Sequence, residues 1–387
     1  MTAPRARATI AGFLLGMTIA TTALAQKPGG VLRVQHRDSP ASMSILEEGS
    51  VSAIMPSMGV FNNLILFDQH VPQNRVESIV PDLATSWSWS EDGTELTFKL
   101  REGVKWHDGK PFTAADVKCT YDLLTGKAKE KLRLNYREAW FFNVDEVTTN
   151  GDSEASFHLK RPQPVLLSLL ASGYSPIYPC HVSARDMRTH PIGTGPFKFA
   201  EYKPNQSIKV TRNPDYWRPG RTYLDGIEYT MIADRSTAIL ALVTGKFDMT
   251  FPYDVTVPLL KDVKSQAPQA ICELKPMNGR ANLLVTGAPP FDNPVLRRAM
   301  NLDRKAFVDI LSEGINDIGA VLQPPPEGIW GMPPEILQSL PGYGPDVAKN
   351  REEARALMRL VGYRPDNRLK VKVSTAISPG IAIRLRS

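Results

Sequence analysis

The stretch "LREGVKWHDGKPFTAADV", Leu100 to Val117, gathers His107, Asp108, Asp116, Trp106 and the basic Arg101, Lys105 and Lys110 in one short segment. General acid–base chemistry is what such a set could do, with His107 as the base. That chemistry needs a nucleophile or a partner, and the segment provides neither. Asp108-Gly109 instead reads as a tight turn, whose residue types tolerate positive φ. Thr113 stands where a helix N-cap belongs, and Asp116 three residues on places a carboxylate beside the free N–H groups of a first helical turn. Each polar residue thus has a scaffolding task.

Other chemistry-bearing residues are equally dispersed. The histidines at 36, 70, 107, 158, 181 and 190 form no HExxH motif and no close pair, so no metal and no cofactor is expected. "GYSPI" at 173–177 lacks the second glycine of a nucleophile elbow, which disfavours a serine hydrolase. Cys119, Cys180 and Cys272 have no CxxC spacing; one disulfide with one remaining thiol is open to them, and the pairing is not legible.

The first residues speak to location. Arg5 and Arg7 precede an apolar run from Ile10 to Ala20, and Ala23-Leu24-Ala25 is the small-x-small pattern of a signal-peptidase site, so export with cleavage after Ala25 is expected. The run is too short for a bilayer, which needs about 20 apolar residues. No cysteine follows the cleavage motif to carry a lipid. The formal charge of +6 is spread among acids rather than gathered in a stripe, which argues against nucleic acid as a partner.

Periodicity supplies the elements that must position any site. "GGVLRVQ" reads as a short buried strand and 51–66 as a helix. Trp87 and Trp89 alternate with serines, and after Asp92-Gly93 the residues Leu96, Phe98 and Leu100 alternate with polar ones, predicting a hairpin. A second hairpin surrounds Asn150-Gly151, and "PVLLSLLASG" reads as an apolar helix between Pro164 and Gly173. "PIGTGPFKFAEY" turns into a strand that "SIKVTRNPDYW" pairs with. "YLDGIEYTMIADRSTAILALVTGKFDM" then reads as strand, helix, strand, a βαβ unit of an open sheet. A helix led by Pro294, a helix over "DVAKNREEARALMRLVG" and a strand "LKVKVST" complete the pattern.

Six segments carry a resemblance by their order: "PDLATSWSWSEDGTELTFKLREGVKWHDGKPFTAADV", "PIGTGPFKF", "RNPDYW", "YLDGIEY", "ALVTGKFDM" and "PPFDNPVLRRAM". From about Gly29 to Thr375 the chain resembles the extracytoplasmic solute-binding proteins of ABC importers, family 5, the dipeptide and oligopeptide binders. The resemblance implies an α/β, type II periplasmic-binding-protein-like fold, with two lobes, an extra inserted domain and crossing strands between the lobes. Carried over, it places lobe I at 26–47 plus 175–273, the inserted domain at 48–174 and an opposing lobe at 274–387. It implies a monomeric, non-enzymatic receptor. That receptor would enclose a peptide-like or other small polar solute and deliver it to an ABC permease; the alternative is an exported hydrolase or a peptide-holding chaperone using the same cleft.

The loop after a βαβ unit lies at the carboxyl end of the sheet, where open α/β proteins bind ligands. Thr250, Phe251, Tyr253 and Asp254 are therefore ligand-binding candidates, joined by Asp38 and Ser39 after the first strand. The resemblance adds Asn282, just past a crossing, and Tyr136 and Trp140 from the inserted domain. The sequence also departs from the family: Thr286 stands where an asparagine is common, and "AMNLDRKAF" is short of residues. The chain stops after "VSTAISPGIAIRLRS", without the rest of the opposing lobe, the second crossing strand or the aspartate that holds a peptide's amino group in relatives. The expectation is an incomplete opposing lobe and weak capture.

Overall fold

The computed structural model describes residues 28–71, 74–252, 254–255, 257–273, 285, 287–302 and 333–371. The export signal, Tyr253, Asn282, Thr286 and the segment beyond Val371 lie outside them. Strand β1 (Val31–His36) leads to helix α1 (Val51–Ser57), which ends well short of the helix read over 51–66. The reason is tertiary. The carbonyls of Gly59 and Val60 accept N–H groups of Phe197 and Gly195, both at 2.9 Å, so the backbone beyond α1 is committed to a distant segment. The chain then enters β2 (Ile65–Phe67), which pairs antiparallel with β3 (Ile79–Pro81).

Two hairpins follow as expected. β4 (Ala84–Trp89) pairs with β5 (Glu95–Leu100), and β6 (Val144–Thr149) with β7 (Glu154–Leu159). They join through β5 and β7 into one antiparallel sheet of order β4-β5-β7-β6. Helix α2 (Ala114–Leu124) lies on β6 and β7, and the short α3 (Glu138–Phe141) closes the side. Period-two burial puts Leu96, Phe98, Ala155 and Phe157 inward, all fully buried. The Tyr121 ring meets Phe157 and Phe141 edge-on, at 4.6 and 5.2 Å between centroids. Each such aromatic contributes roughly 1.5–3 kcal/mol by burial. A third helix, α4 (Leu166–Leu170), occupies the apolar run before Gly173. The Cys119–Cys180 disulfide fastens α2 to the chain leaving this region, and Cys272 is the free thiol.

β8 (Phe197–Lys203), β9 (Ser207–Arg212) and β10 (Gly226–Met231) return to the first strand in a sheet of order β1-β10-β9-β8, with β1 and β10 parallel. Helix α5 (Arg235–Val243) follows, its first turn capped by Asp234, which accepts the Thr237 N–H at 2.8 Å. The strand read at Phe247–Met249 is reduced to one parallel bridge, Val34 to Met249. Arg33 holds it there by a forked pair with Asp248, at 2.7 and 3.1 Å. α6 (Val257–Gln266), α7 (Pro294–Met300), α8 (Pro334–Ser339) and α9 (Val347–Leu360) complete the described helices. α7 packs on α9 with Arg298 bonded to Glu353 at 2.6 Å. The strand read over 369–375 is not formed at 369–371, and the rest of it lies outside the described residues.

The opening stretch fastens the two sheets' regions together. The His107 N–H donates to the Gly193 carbonyl at 2.9 Å, and its Nε2 donates to the Gly195 carbonyl at 3.0 Å. Nδ1 accepts the Gly193 N–H at 3.2 Å, so both ring nitrogens are used by one loop and the imidazole is neutral. Beside it, Asp82 is 2 % exposed and takes Asn62, the Asn63 N–H and Arg218, the last at 2.8 Å. Thr194 donates to Asn62 Oδ1 at 3.0 Å, which closes the network. A third fastening is Glu47, fully buried and forked by Arg188 at 2.7 and 2.8 Å. Burial opposes its ionisation, but the Arg188 hydrogen bonds win and hold its pKa low.

Two of these groups titrate in opposite senses. Burial pushes His107 down to about 4 from 6.5, so it stabilises the fold above pH 6.5 and that stability is lost as pH falls toward 4. Burial lifts Asp82 to about 6 from 3.8, so its contribution is complete below pH 3.8 and is lost as pH rises toward 6. The slopes oppose each other over the shared window. Relative to wild type, Asp82→Asn is expected to gain roughly 1 kcal/mol per pH unit as pH rises from 4 to 6, and His107→Gln to lose as much. Urea midpoints at four pH values measure both differences; parallel curves for all three proteins would refute the assignment.

Candidate functional site

Because β1, β10 and the Met249 bridge run parallel, their carboxyl ends deliver residues 37–39, 232–234, 250–252 and 254 to one edge of the sheet. One side chain joins all three. Gln35 is fully buried, and its Nε2 donates to the Ile232 carbonyl at 2.9 Å and to Asp254 Oδ2 at 3.0 Å. Its Oε1 accepts the Phe251 N–H at 2.9 Å. Asp254 is 3 % exposed, and Arg37 Nε lies 3.9 Å from its Oδ1. A buried carboxylate without such partners would cost several kcal/mol.

His36 ends β1, fully buried, with Nδ1 donating to the Asp38 carbonyl at 2.7 Å. Its ring meets Phe251 and Tyr229 edge-on at 5.0 and 5.9 Å, and burial lowers its pKa. Asp38 presents an exposed side chain whose Oδ1 accepts the Ser52 hydroxyl from α1. Ser39 is hydrogen-bonded to Tyr202 Oη at 2.6 Å and accepts the Asn205 N–H at 3.1 Å. Thr250 is half-buried and Phe251 buried at 3 % exposure. Asp38, Ser39, Thr250, Phe251 and Asp254 therefore share the sheet edge.

Tyr136 and Trp140 belong to a second group, around Arg137. Arg137 is 1 % exposed and donates to the Leu46 and Glu48 carbonyls at 2.8 and 2.9 Å. Its guanidinium carbon lies 5.2 Å from the Tyr174 ring centroid, and Trp140 meets the same ring at 5.8 Å. Tyr136 is 57 % exposed. Sequence reasoning missed Gln35, His36, Arg37 and Arg137. The available signal was a polar Gln-His-Arg run ending a strand otherwise read as buried, where a side chain must find polar partners. Among the described residues no group of three His, Cys, Asp or Glu could hold a metal ion.

Residues 78–380 match the family described as bacterial extracellular solute-binding proteins, family 5 Middle. The chain belongs to that family. Among curated relatives, glutathione-binding protein GsiB of Escherichia coli (strain K12) is 30% identical over 288 residues, 73% of this chain and 52% of the relative. GsiB of Shigella flexneri gives the same figures. The chain thus spans about half the length of the curated relatives it matches. Among solved structures, DppA from Helicobacter pylori in complex with peptide STSA superposes with a TM-score of 0.70 at 23% identity, covering 87% of this chain and 67% of that one. AppA from Bacillus subtilis in complex with a nonapeptide gives 0.67 at 24% identity, covering 88% and 66%.

These likenesses establish the fold as that of type II periplasmic binding proteins. Family 5 is a family of extracellular binding proteins rather than enzymes, and membership places the protein outside the cytoplasm. No helix among the described residues is long and apolar enough to cross a membrane.

Proposed function

We propose that this chain is a periplasmic receptor of an ABC importer, capturing a peptide-like or similar polar solute and handing it to an inner-membrane permease. The family match over residues 78–380 carries the reading. The sheet edge supports it, because Gln35 pins the loops at Ile232 and at Phe251 and Asp254 to β1, giving a fixed wall on which a solute's polar groups can be satisfied while an opposing lobe closes. Asp38, Ser39, Thr250, Phe251, Tyr253 and Asp254 form that wall in this reading. In the same reading Asn282, which follows the crossing in sequence, and Tyr136 and Trp140 of the inserted domain are further ligand-contacting candidates. The working division is 26–47 plus 175–273 for lobe I, 48–174 for the inserted domain and 274–387 for the opposing lobe. The protein acts as a monomer, after export and cleavage at Ala25.

Native mass spectrometry tests the receptor role. The full chain is incubated with reduced glutathione and a mixture of tri- to pentapeptides, then desalted and sprayed. An adduct of intact solute mass is expected. Appearance of peptide fragments, with loss of that activity in a point variant of the wall, would replace the receptor by a hydrolase.

A further inference from the structure

We infer that the cavity where the 105–109 turn meets the sheet of β8 and β9 is a second binding site, taking a small phosphate-type oxyanion between Lys105 and Lys198. The site is separate from the candidate wall. Lys198 pairs with Thr211, Thr211 with Gly226 and Gly226 with Val31, a row at the amino end of β1. The wall begins beyond His36, five residues further along β1 and roughly 17 Å away along the strand. The cavity measures about 240 Å³, and its lining joins residues 105–109 to Lys198, Asn213 and Asp215. Clefts that enclose drug-sized ligands start at about 300 Å³, so this one suits an ion or a small monoester rather than a peptide.

The walls are fixed and the positive charge is not spent. His107 is bonded through its ring to Gly193 and Gly195, and Asn213 Nδ2 donates to the Gly195 carbonyl at 3.0 Å. Asn213 Oδ1 accepts the Asp215 N–H at 3.1 Å, which sets the far side. Lys198 Nζ donates to the His107 carbonyl at 3.2 Å, a neutral partner that uses one of three ammonium donors. Its nearest carboxylate, Asp215, stands 3.9 Å away with a side chain 76% exposed, so that attraction is screened by solvent. Lys105 pairs with no carboxylate among the described residues. Elsewhere lysines are engaged directly, Lys203 by Glu201 at 2.8 Å and Lys118 by Asp122 at 3.1 Å. The other acid in the lining, Asp108, is committed outward: its Oδ2 takes His181 Nε2 at 2.7 Å and its Oδ1 the Lys110 N–H at 3.2 Å. Two ammonium groups beside a neutral imidazole match an anion carrying up to two charges, and lysine binds phosphate as a point charge. A bound anion would bridge the turn to β8.

Titration of the full chain with inorganic phosphate and with glycerol phosphate, at about pH 8 where both are mainly dianions, tests this. The His107 ring resonances report on the cavity and are identified by their loss in His107→Gln. Melting curves in chloride are the folding control, because phosphate strengthens burial in any protein. A saturable shift is expected with phosphate and not with chloride at the same ionic strength. Lys105→Gln and Lys198→Gln should each weaken the affinity about tenfold. Lys110→Gln, outside the lining, should change it by less than about twofold. Saturation by only one of the two phosphates supports the site and identifies the free ion or the monoester as its ligand. No saturation by either in a folded wild type, a chloride titration that reproduces the shift, or unchanged affinity in the two cavity-lysine variants overturns the inference and leaves the receptor reading intact.

Discussion

Gly193→Ala is expected to destabilise the protein by about 3 kcal/mol or more, at the upper end of what overpacking costs. A Cβ at residue 193 would lie 1.9 Å from the Val60 carbonyl oxygen and 2.7 Å from its carbon, far inside contact distance. Neither atom belongs to a side chain that can swing away. In the same loop a Cβ added at residue 195 would lie 2.6 Å from the Gly59 oxygen, so the backbones of 193–195 and 59–60 approach too closely for side chains at either glycine. Positive φ is not the cause, since neither glycine has one. Relief would require moving the loop, and the loop is bonded to His107 on one side and to Val60 and Asn62 on the other. Gly287→Ala, where a Cβ meets nothing within 4 Å, is the matched control. Urea denaturation of the two variants checks the expectation; equal midpoints would mean that the approach of the backbones is looser than described.

That contact also explains where reading the sequence failed. "PIGTGPF" reads as a rigid turn, which is true locally, but the glycines are required by a segment more than 130 residues earlier. The same contact ends α1 early, because apolar periodicity over 51–66 cannot reveal that the Gly59 and Val60 carbonyls are claimed from elsewhere. The hairpins were legible, since alternation and an Asp-Gly or Asn-Gly turn are local signals that the observed register obeys. Helix starts were legible for a similar reason: Thr113 and Asp116 form the capping box, with the Thr113 N–H donating to Asp116 Oδ2 at 3.0 Å.

The candidate site was legible in part. Its address, the carboxyl edge of the βαβ unit, follows from chain direction alone. What organises it does not, because Gln35 acts through partners at 232, 251 and 254, and no local pattern marks a strand glutamine as a buried brace.

Removal of the Cys119–Cys180 bridge, as a double serine variant, is expected to cost about 4 kcal/mol, the chain-entropy value for a loop of this size. The two residues are 61 apart in sequence, and the pairing links the outer side of α2 to the segment that leads back to β8. Everything between them, including β6, β7, α3 and α4, is tethered at both ends in the unfolded chain. The native junction does not vanish with the bond, since the Cys180 N–H donates to Asp116 Oδ1 at 2.8 Å and the Tyr178 N–H to Thr120 Oγ1 at 2.9 Å. The loss therefore falls mainly on the unfolded state, and the variant should fold to the same structure with a lower melting temperature. Both cysteines are exposed, so dithiothreitol should reproduce the effect on the wild-type protein without prior unfolding. Cys272→Ser should leave the difference between oxidised and reduced protein unchanged, because Cys272 takes no part in the bridge. Paired urea melts with and without reductant decide the matter. A difference below about 1 kcal/mol would show that the unfolded chain is already constrained there, and a Cys272→Ser variant insensitive to reductant would show that the bridge forms through the third cysteine.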